Sequence, residues 1–265
     1  MGYRVMKCQN IITSLEELSP LHYAEDWDNV GLLVGRRDKE VNRVYLAVDA
    51  TDEVLQCAVD ARVDMIITHH PLIFKPLRQI NNDDFIARRV LSMARHDICY
   101  YAMHTNFDVM GMADAAADEI GLKRREVLQV TYEDEIAKEG IGRVGRLPNI
   151  MTLRECAEHV KQVFGLDNVR VYGDLDAELE IAAISPGSGK SMIGDAVAKN
   201  ADVLITGDIE HHEGLDAVAQ GLMIIDAGHY GIEKLFKNYI KDYLKRTYPN
   251  LTVYVHRDIN PFVIL

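Results

Sequence analysis

Short apolar runs alternate with amphipathic stretches along almost the whole chain. "RVYLAV", "DMIIT" and "ICYYAM" read as strands buried on both faces. Between them, "DEVLQCAVDARV" and "DFIARRVLSMARHD" carry apolar residues at helical spacing. The second half repeats the plan. "LEIAAIS", "DVLIT", "MIIDA" and "LTVYVHR" predict strands, while "GKSMIGDAVAKN", "LDAVAQGL" and the long "GIEKLFKNYIKDYLKRTY" predict helices. The N-terminal "MGYRVMKCQNIITSLEELSP" predicts a short strand or turn and then an amphipathic helix. Continuous apolar strands separated by helices imply an α/β fold.

The halves also match position by position. "VDMIITHH" lies over "ADVLITGD", and "CYYAMHTNFD" lies over "LMIIDAGHYGIE", which aligns His104-x-x-x-Asp108 with His229-x-x-x-Glu233. This predicts an internal pseudo-duplication: two related, interlocked α/β lobes, residues 1–125 and 126–265, with mixed sheets facing a metal-binding cleft. The polar, glycine-bearing "KRREVLQVTYEDEIAKEGIGRVGRLPN" is the expected crossover between them.

Charge and cysteine content narrow the classes of partner. Asp and Glu number 41 against 29 Lys and Arg, a net charge of −12. Such a field disfavours nucleic acid, so an anionic substrate needs a local cation or a helix terminus. The four cysteines (Cys8, Cys57, Cys99, Cys156) form no Cys-x-x-Cys pair, which fits a reducing cytoplasm. No window reaches the roughly 18 consecutive apolar residues of a membrane span.

The candidate chemistry gathers at strand ends. His69 and His70 come after "DMIIT", His104 and Asp108 after "CYYAM", and His229 and Glu233 after "MIIDA". Imidazole with carboxylate is a ligand set for zinc, iron, manganese or nickel. Adjacent residues on a strand face opposite ways, so His69 and His70 suit two metals better than one, with Asp108 or Glu233 able to bridge. Any one histidine on an apolar segment is ordinarily a hydrogen-bonded structural residue; three such signals at matched strand ends are harder to explain that way. "GDIEHHEGLDA" adds His211 and His212, of which His212 is a candidate substrate-facing group. "ISPGSGKS" is not a phosphate-binding loop of the Walker type, because Ile184 stands where the first glycine belongs. Gly187, Ser188 and Gly189 remain either an anion cradle or a tight turn.

In chain order, "AEDWDNVGLLVG", "THHPLIF", "HTNFD", "GIGRVGRL", "GSGKS", "TGDIEHH" and "DAGHYGIE" cover essentially the whole sequence. With these motifs the chain resembles the YbgI-like, Nif-three-like family of dinuclear-metal proteins, often labelled GTP cyclohydrolase 1 type 2. The resemblance implies a homohexameric ring, with two divalent metal ions per subunit facing an internal cavity. It implies His69, His70, Asp108, His229 and Glu233 as ligands, Glu233 as the bridge, and His104 as a residue beside the metals. The segment between "GLKRRE" and "GIGRVG" is short, as in compact relatives, and His211 stands where tyrosine is common. The expected function is metal-dependent hydrolysis of a nucleotide or related heterocycle, with His104 or His212 as acid or base. The competing expectation is a non-catalytic metal-binding or regulatory scaffold.

Overall fold

In the computed structural model, residues 6–264 are described. The strand or turn expected at residues 1–5 lies outside them. The elements keep the predicted alternation: α1 (Cys8–Leu18), β1 (Gly31–Val34), β2 (Arg43–Ala47), α2 (Asp52–Asp60), β3 (Met65–Thr68), α3 (Phe85–Arg95), β4 (Cys99–Ala102) and the single turn α4 (Thr105–Phe107). A π turn (Asp108–Met112) then runs into α5 (Ala113–Glu119), the long strands β5 (Lys123–Glu133) and β6 (Lys138–Thr152), and α6 (Leu153–Phe164). Next come β7 (Arg170–Tyr172), β8 (Glu178–Ser188), α7 (Ile193–Ala198), β9 (Val203–Gly207), α8 (His211–Ala219) and β10 (Met223–Asp226). The chain closes with α9 (His229–Glu233), α10 (Leu235–Thr247) and β11 (Thr252–Val255). The final helical stretch, expected as one helix, is thus two.

Two compact units result. The first takes the described residues up to Phe107 together with Phe236–Asp258; the second takes Asp108–Leu235 and the residues from Ile259. The expected division at 125/126 falls inside β5, and most of α10 and all of β11 belong with the first unit.

In the first unit the strand order is β1-β4-β3-β2-β11. Strands β4, β3, β2 and β11 run parallel, and β1 pairs antiparallel with β4. One face of the sheet packs Ile66 and Tyr100 against Val54, Leu55 and Ala58 of α2 and Val90 and Met93 of α3. Both helices begin on a side-chain cap, Thr51 on the Val54 amide (3.2 Å) and Asp84 on the Ala87 amide (2.9 Å). Helix α10 is tied to α1 by Tyr243 and Tyr248, whose hydroxyls donate to the carbonyls of Ser14 (2.7 Å) and Asn10 (2.8 Å).

In the second unit the order is β5-β6-β8-β9-β10-β7. Here too three neighbouring strands, β8, β9 and β10, are parallel, and β7 pairs antiparallel at the β10 edge. Alternate residues of β9 face opposite layers. Val203 and Ile205 pack with Leu153, Cys156, Val160 and Phe164 of α6, while Leu204 packs with Ala196 and Ala217 of α7 and α8. Helix α6 has a full capping box of Thr152 and Glu155 and ends on a left-handed Gly165.

The duplication reaches single hydrogen bonds. In the first unit, Asp64 Oδ2 accepts from the Asn42 and Arg43 amides at 2.8 and 3.0 Å. In the second, Asp202 Oδ2 accepts from the Glu180 and Ile181 amides, both at 2.8 Å. The next strands are tied alike: Cys99 N to Asp64 O and Met103 N to Thr68 O, against Met223 N to Asp202 O and Ala227 N to Thr206 O. So β2-β3-β4 correspond to β8-β9-β10, as the sequence match requires.

The expected crossover is instead the β5–β6 hairpin at the sheet edge. Its glycines let the strands close tightly; a Cβ on Gly140 would sit 1.9 Å from the Gln129 carbonyl oxygen. Arg143, from the same "GIGRVG" stretch, is buried and grips the neighbouring helix. Its Nε and Nη2 donate to the Asp114 carboxylate (3.0 and 2.8 Å), and Nη2 also reaches the Val109 carbonyl in the π turn (3.3 Å). Nη1 donates to the Gly140 and Gly142 carbonyls, both at 2.9 Å. A methionine there fills similar volume but strands these acceptors. Arg143→Met is expected to cost about 2–4 kcal/mol in denaturant unfolding. A loss under about 0.5 kcal/mol would mean that this clasp does not hold the π turn.

Candidate metal centre

Histidines at the first unit's strand ends converge. Strand β3 stops at Thr68, so His69 and His70 lie in the turn beyond it and do not alternate as strand residues would. The expectation that they face opposite ways therefore fails: their rings lie 4.9 Å apart, centroid to centroid. The turn is fixed from beneath. The His70 carbonyl accepts from the Thr68 hydroxyl (2.8 Å) and from the Tyr100 hydroxyl (3.0 Å), which also accepts from the Leu72 amide (2.8 Å). Burial pushes the Tyr100 phenol up to about 12, so it stays a donor at neutral pH. His104, just past β4, completes the cluster, its ring 5.2 Å from His69 and 5.5 Å from His70. Each of the three offers a ring nitrogen, and these nitrogens lie within 4.8 Å of one another.

Every ring is anchored through Nδ1. His69 Nδ1 bonds the Met103 carbonyl at 2.8 Å, His70 Nδ1 bonds Asp49 at 2.7 Å, and His104 Nδ1 bonds Asp28 at 2.9 Å. An acceptor at Nδ1 selects the tautomer with its proton there, so the lone pair sits on Nε2. Asp28 is itself locked, accepting from the Thr105 amide (3.0 Å) and the Thr105 hydroxyl (2.5 Å). Burial pushes the Asp28 carboxyl up, but the bonds from His104 and Thr105 outweigh it and hold it below its ordinary value.

The second unit carries a separate pair. His229 opens α9 and Glu233 closes it, four residues apart on one helix face, with Nε2 and Oε2 separated by 3.1 Å. Here too Nδ1 meets an acid, Asp208 at 2.7 Å. Asp208 sits just past β9 with a left-handed backbone (φ 58°), a conformation aspartate tolerates better than most residues. Buried Asp226 at the end of β10 braces both loops, accepting from the Ile209 amide (3.1 Å) and the Gly228 amide (2.9 Å) and pairing with Arg170. Glu233 is buried, and Gly187 explains how. A Cβ there would lie 2.6 Å from Glu233 Oε1 and 3.7 Å from His229 Nε2, and the backbone is left-handed (φ 77°). Gly187 therefore clears the space that the imidazole–carboxylate pair occupies.

The other two candidates differ in setting. Asp108, half-buried, opens the π turn, a local widening of helix that recurs at functional sites. His212 is exposed on the first turn of α8, its ring 5.1 Å from that of His211, and joins none of the converging donor groups among the described residues. Sequence reasoning passed over Asp28, Asp49 and Asp208, the acids that hold His104, His70 and His229. Asp28 and Asp208 left a trace, inside the "WDN" and "TGDIEHH" motifs. The donor set itself fits a divalent cation: imidazole nitrogens with fixed tautomers, each ring held by an outer partner, and a buried carboxylate.

Comparison with known proteins gives one family. A model of the Duf34/NIF3 (NGG1p interacting factor 3) family matches residues 6–261. A protein of Clostridium perfringens called GTP cyclohydrolase 1 type 2 homolog is 37% identical over 230 residues, covering 86% of this chain and 87% of its own. A Lactococcus lactis protein of the same name is 35% identical over 263 residues, covering 97% and 99%. Among solved structures, a Bacillus cereus protein related to NIF3 superposes with a TM-score of 0.89 at 26% identity, covering 99% of this chain and 100% of its own.

The Gly187 packing gives a direct test. Gly187→Ala is expected to destabilise the protein by about 1–2 kcal/mol for the left-handed backbone alone, and by more because Glu233 must move. Gly194→Ala, whose Cβ meets nothing within 4 Å in helix α7, is the control and gains up to about 1 kcal/mol. Equal unfolding midpoints for the two variants would refute the packing argument.

Proposed function

The chain belongs to the Duf34/NIF3 family, and from that premise we propose that it binds a pair of divalent metal ions and hydrolyses a nucleotide or related nitrogen heterocycle. The proposed ligands are His69, His70, Asp108, His229 and Glu233, with Glu233 as the bridge. The observation that carries this reading is the anchoring of all four histidines through Nδ1, three of them by carboxylates. Core histidines need one partner each, and nothing requires that partner to select the same tautomer every time. A metal-binding imidazole needs its second nitrogen held so that the other is left for the ion, and in all four rings the nitrogen left is Nε2. The names of the relatives, GTP cyclohydrolase 1 type 2 homolog, favour a purine nucleotide as the substrate class.

Bound divalent ions would supply Lewis acidity and bring a water's pKa down towards about 7. The chain's own contribution is proton handling and orientation. His104, its Nδ1–H held by buried Asp28, presents Nε2 to accept a proton from water or to return one to a leaving nitrogen. Asp49 and Asp208 fix the planes of His70 and His229 in the same way. His212, exposed on α8, is the second candidate for proton transfer. Mixed nitrogen and oxygen donors suit zinc, iron, manganese and nickel alike. Assembly as a homohexameric ring is part of this proposal and is read by sedimentation. So is a cytoplasmic location; among the described residues no helix is long and apolar enough to cross a membrane.

A second reading has one point in its favour, the family's description as an NGG1p interacting factor. In that reading the protein is a non-catalytic metal-binding or regulatory scaffold.

Metal analysis and turnover separate the readings. Gently purified protein should carry about two equivalents of transition metal per chain. Asp208→Asn should weaken metal affinity about 10- to 100-fold without unfolding the protein. His69→Ala and Glu233→Ala should abolish turnover of purine nucleotides while the chain stays folded. Wild-type turnover in both would rule out hydrolysis at this site. Full metal loading without turnover of any nucleotide would leave the scaffold reading standing.

A further inference from the structure

The chain's single tryptophan, Trp27, is held out to solvent beside the histidine cluster. It is 56% exposed, and so is nearly half of Phe74, at 47%. Their ring centroids lie 5.6 Å apart, tilted by 47°. The edge of this aromatic pair reaches the site already described, since the Trp27 ring meets His104 edge-on at 5.9 Å. A monomer seldom leaves two large neighbouring rings in water without a use for them.

The pair is also built, not loose. Trp27, Asp28 and Asn29 are consecutive, and each has a separate task. Asp28 holds the His104 imidazole. Asn29 Nδ2 donates to the Ile73 carbonyl at 2.5 Å, which pins the loop carrying Phe74 against the loop carrying Trp27. The bond that orients the histidine and the bond that sets the aromatic wall thus flank one another in the chain.

We propose that Trp27 and Phe74 are the stacking wall of a subsite for a planar nitrogen heterocycle, with the bound ring's edge directed to His104. The chemistry is that of base stacking: an aromatic face offers area to any purine or pterin-like ring at little cost in side-chain freedom. The subsite rests on the hydrolase reading only for the chemistry after binding; capture of the ring does not need turnover.

Because no other tryptophan is present, intrinsic fluorescence excited at the indole band reports on Trp27 alone. Guanosine 5′-monophosphate titrated into the full, metal-loaded chain should quench that emission saturably. Ribose 5-phosphate, which has the same sugar and phosphate without the ring, should not. Phe74→Ala should weaken the guanosine 5′-monophosphate response about tenfold while sedimentation shows the assembly unchanged. Equal quenching by both ligands would mean that only the phosphate is recognised, and the subsite would be wrong. Unaltered affinity in Phe74→Ala, or dissociation of the assembly with guanosine 5′-monophosphate binding intact, would assign the rings to a contact between copies and overturn it equally. Saturable quenching with no turnover of any nucleotide sinks the hydrolase reading and keeps the subsite; turnover without quenching does the reverse.

Discussion

An imidazole ring has two nitrogens, and whichever one is tied to an acceptor decides where the other's lone pair points. That constraint organises the candidate donors of each unit. His69, His70, His104 and His229 all place Nδ1 against an oxygen, and the ends of parallel strands supply it for all but His104, whose partner Asp28 lies in the loop before β1. Asp49 lies just past the end of β2, beside His70 past the end of β3. Asp208 lies past the end of β9, beside His229 past the end of β10. In both pairs acid and histidine are 21 residues apart. Parallel strands end side by side, so a loop leaving one strand naturally meets the loop leaving the next. The Met103 carbonyl after β4 serves His69 by the same geometry.

The duplication shows how one plan yields two different contributions. Asp64 and Asp202 cap the neighbouring strands alike, which fixes the register between the halves. From that register Thr68 corresponds to Thr206, His69 to Gly207 and His70 to Asp208. Where the first unit places two imidazoles, the second places a glycine and an anchoring acid. The glycine is needed: a Cβ on Gly207 would lie 2.5 Å from the His229 amide. The second unit therefore brings its donors from the next strand, through α9, and uses the equivalent of His70 for orientation.

Much of this was legible in the sequence, for physical reasons that also mark its limits. Strands buried on both faces stand out as unbroken apolar runs, so β2, β3, β4, β8, β9 and β10 and the residues at their tips could be read directly. The β5–β6 hairpin could not, because many of its positions face water and glycines interrupt it; its polar, glycine-bearing sequence looks like a linker. Helix α6 went unread although Thr152, Glu155 and Gly165 carry its start and stop. The convergence of His69 and His70 was hidden too. Alternation holds only while the strand lasts, and the Thr68 and Tyr100 hydroxyls end it one residue before the first histidine. Asp49 is invisible for a simpler reason: among 41 acidic residues, nothing local distinguishes an anchor from a solvated carboxylate, and Asp208, although it stands in "TGDIEHH" opposite His70, carries no sign of its anchoring role either.

That acidic excess also takes on a different meaning at the site. Three imidazole nitrogens within 4.8 Å would repel one another if all were protonated, and the repulsion is least screened where His69 is fully buried. Asp28 and Asp49 accept at Nδ1 and so leave Nε2 of each ring as the nitrogen open to a ligand. Such a cluster is poor at holding an anion and well suited to a cation, whose charge the surrounding carboxylates offset in turn. A net charge of −12 keeps free phosphate esters away from most of the surface. A centre that first gathers positive charge inside a negative shell would then mark the one place where an anionic substrate is drawn in. The aromatic pair beside His104 is where a ring could be held on arrival.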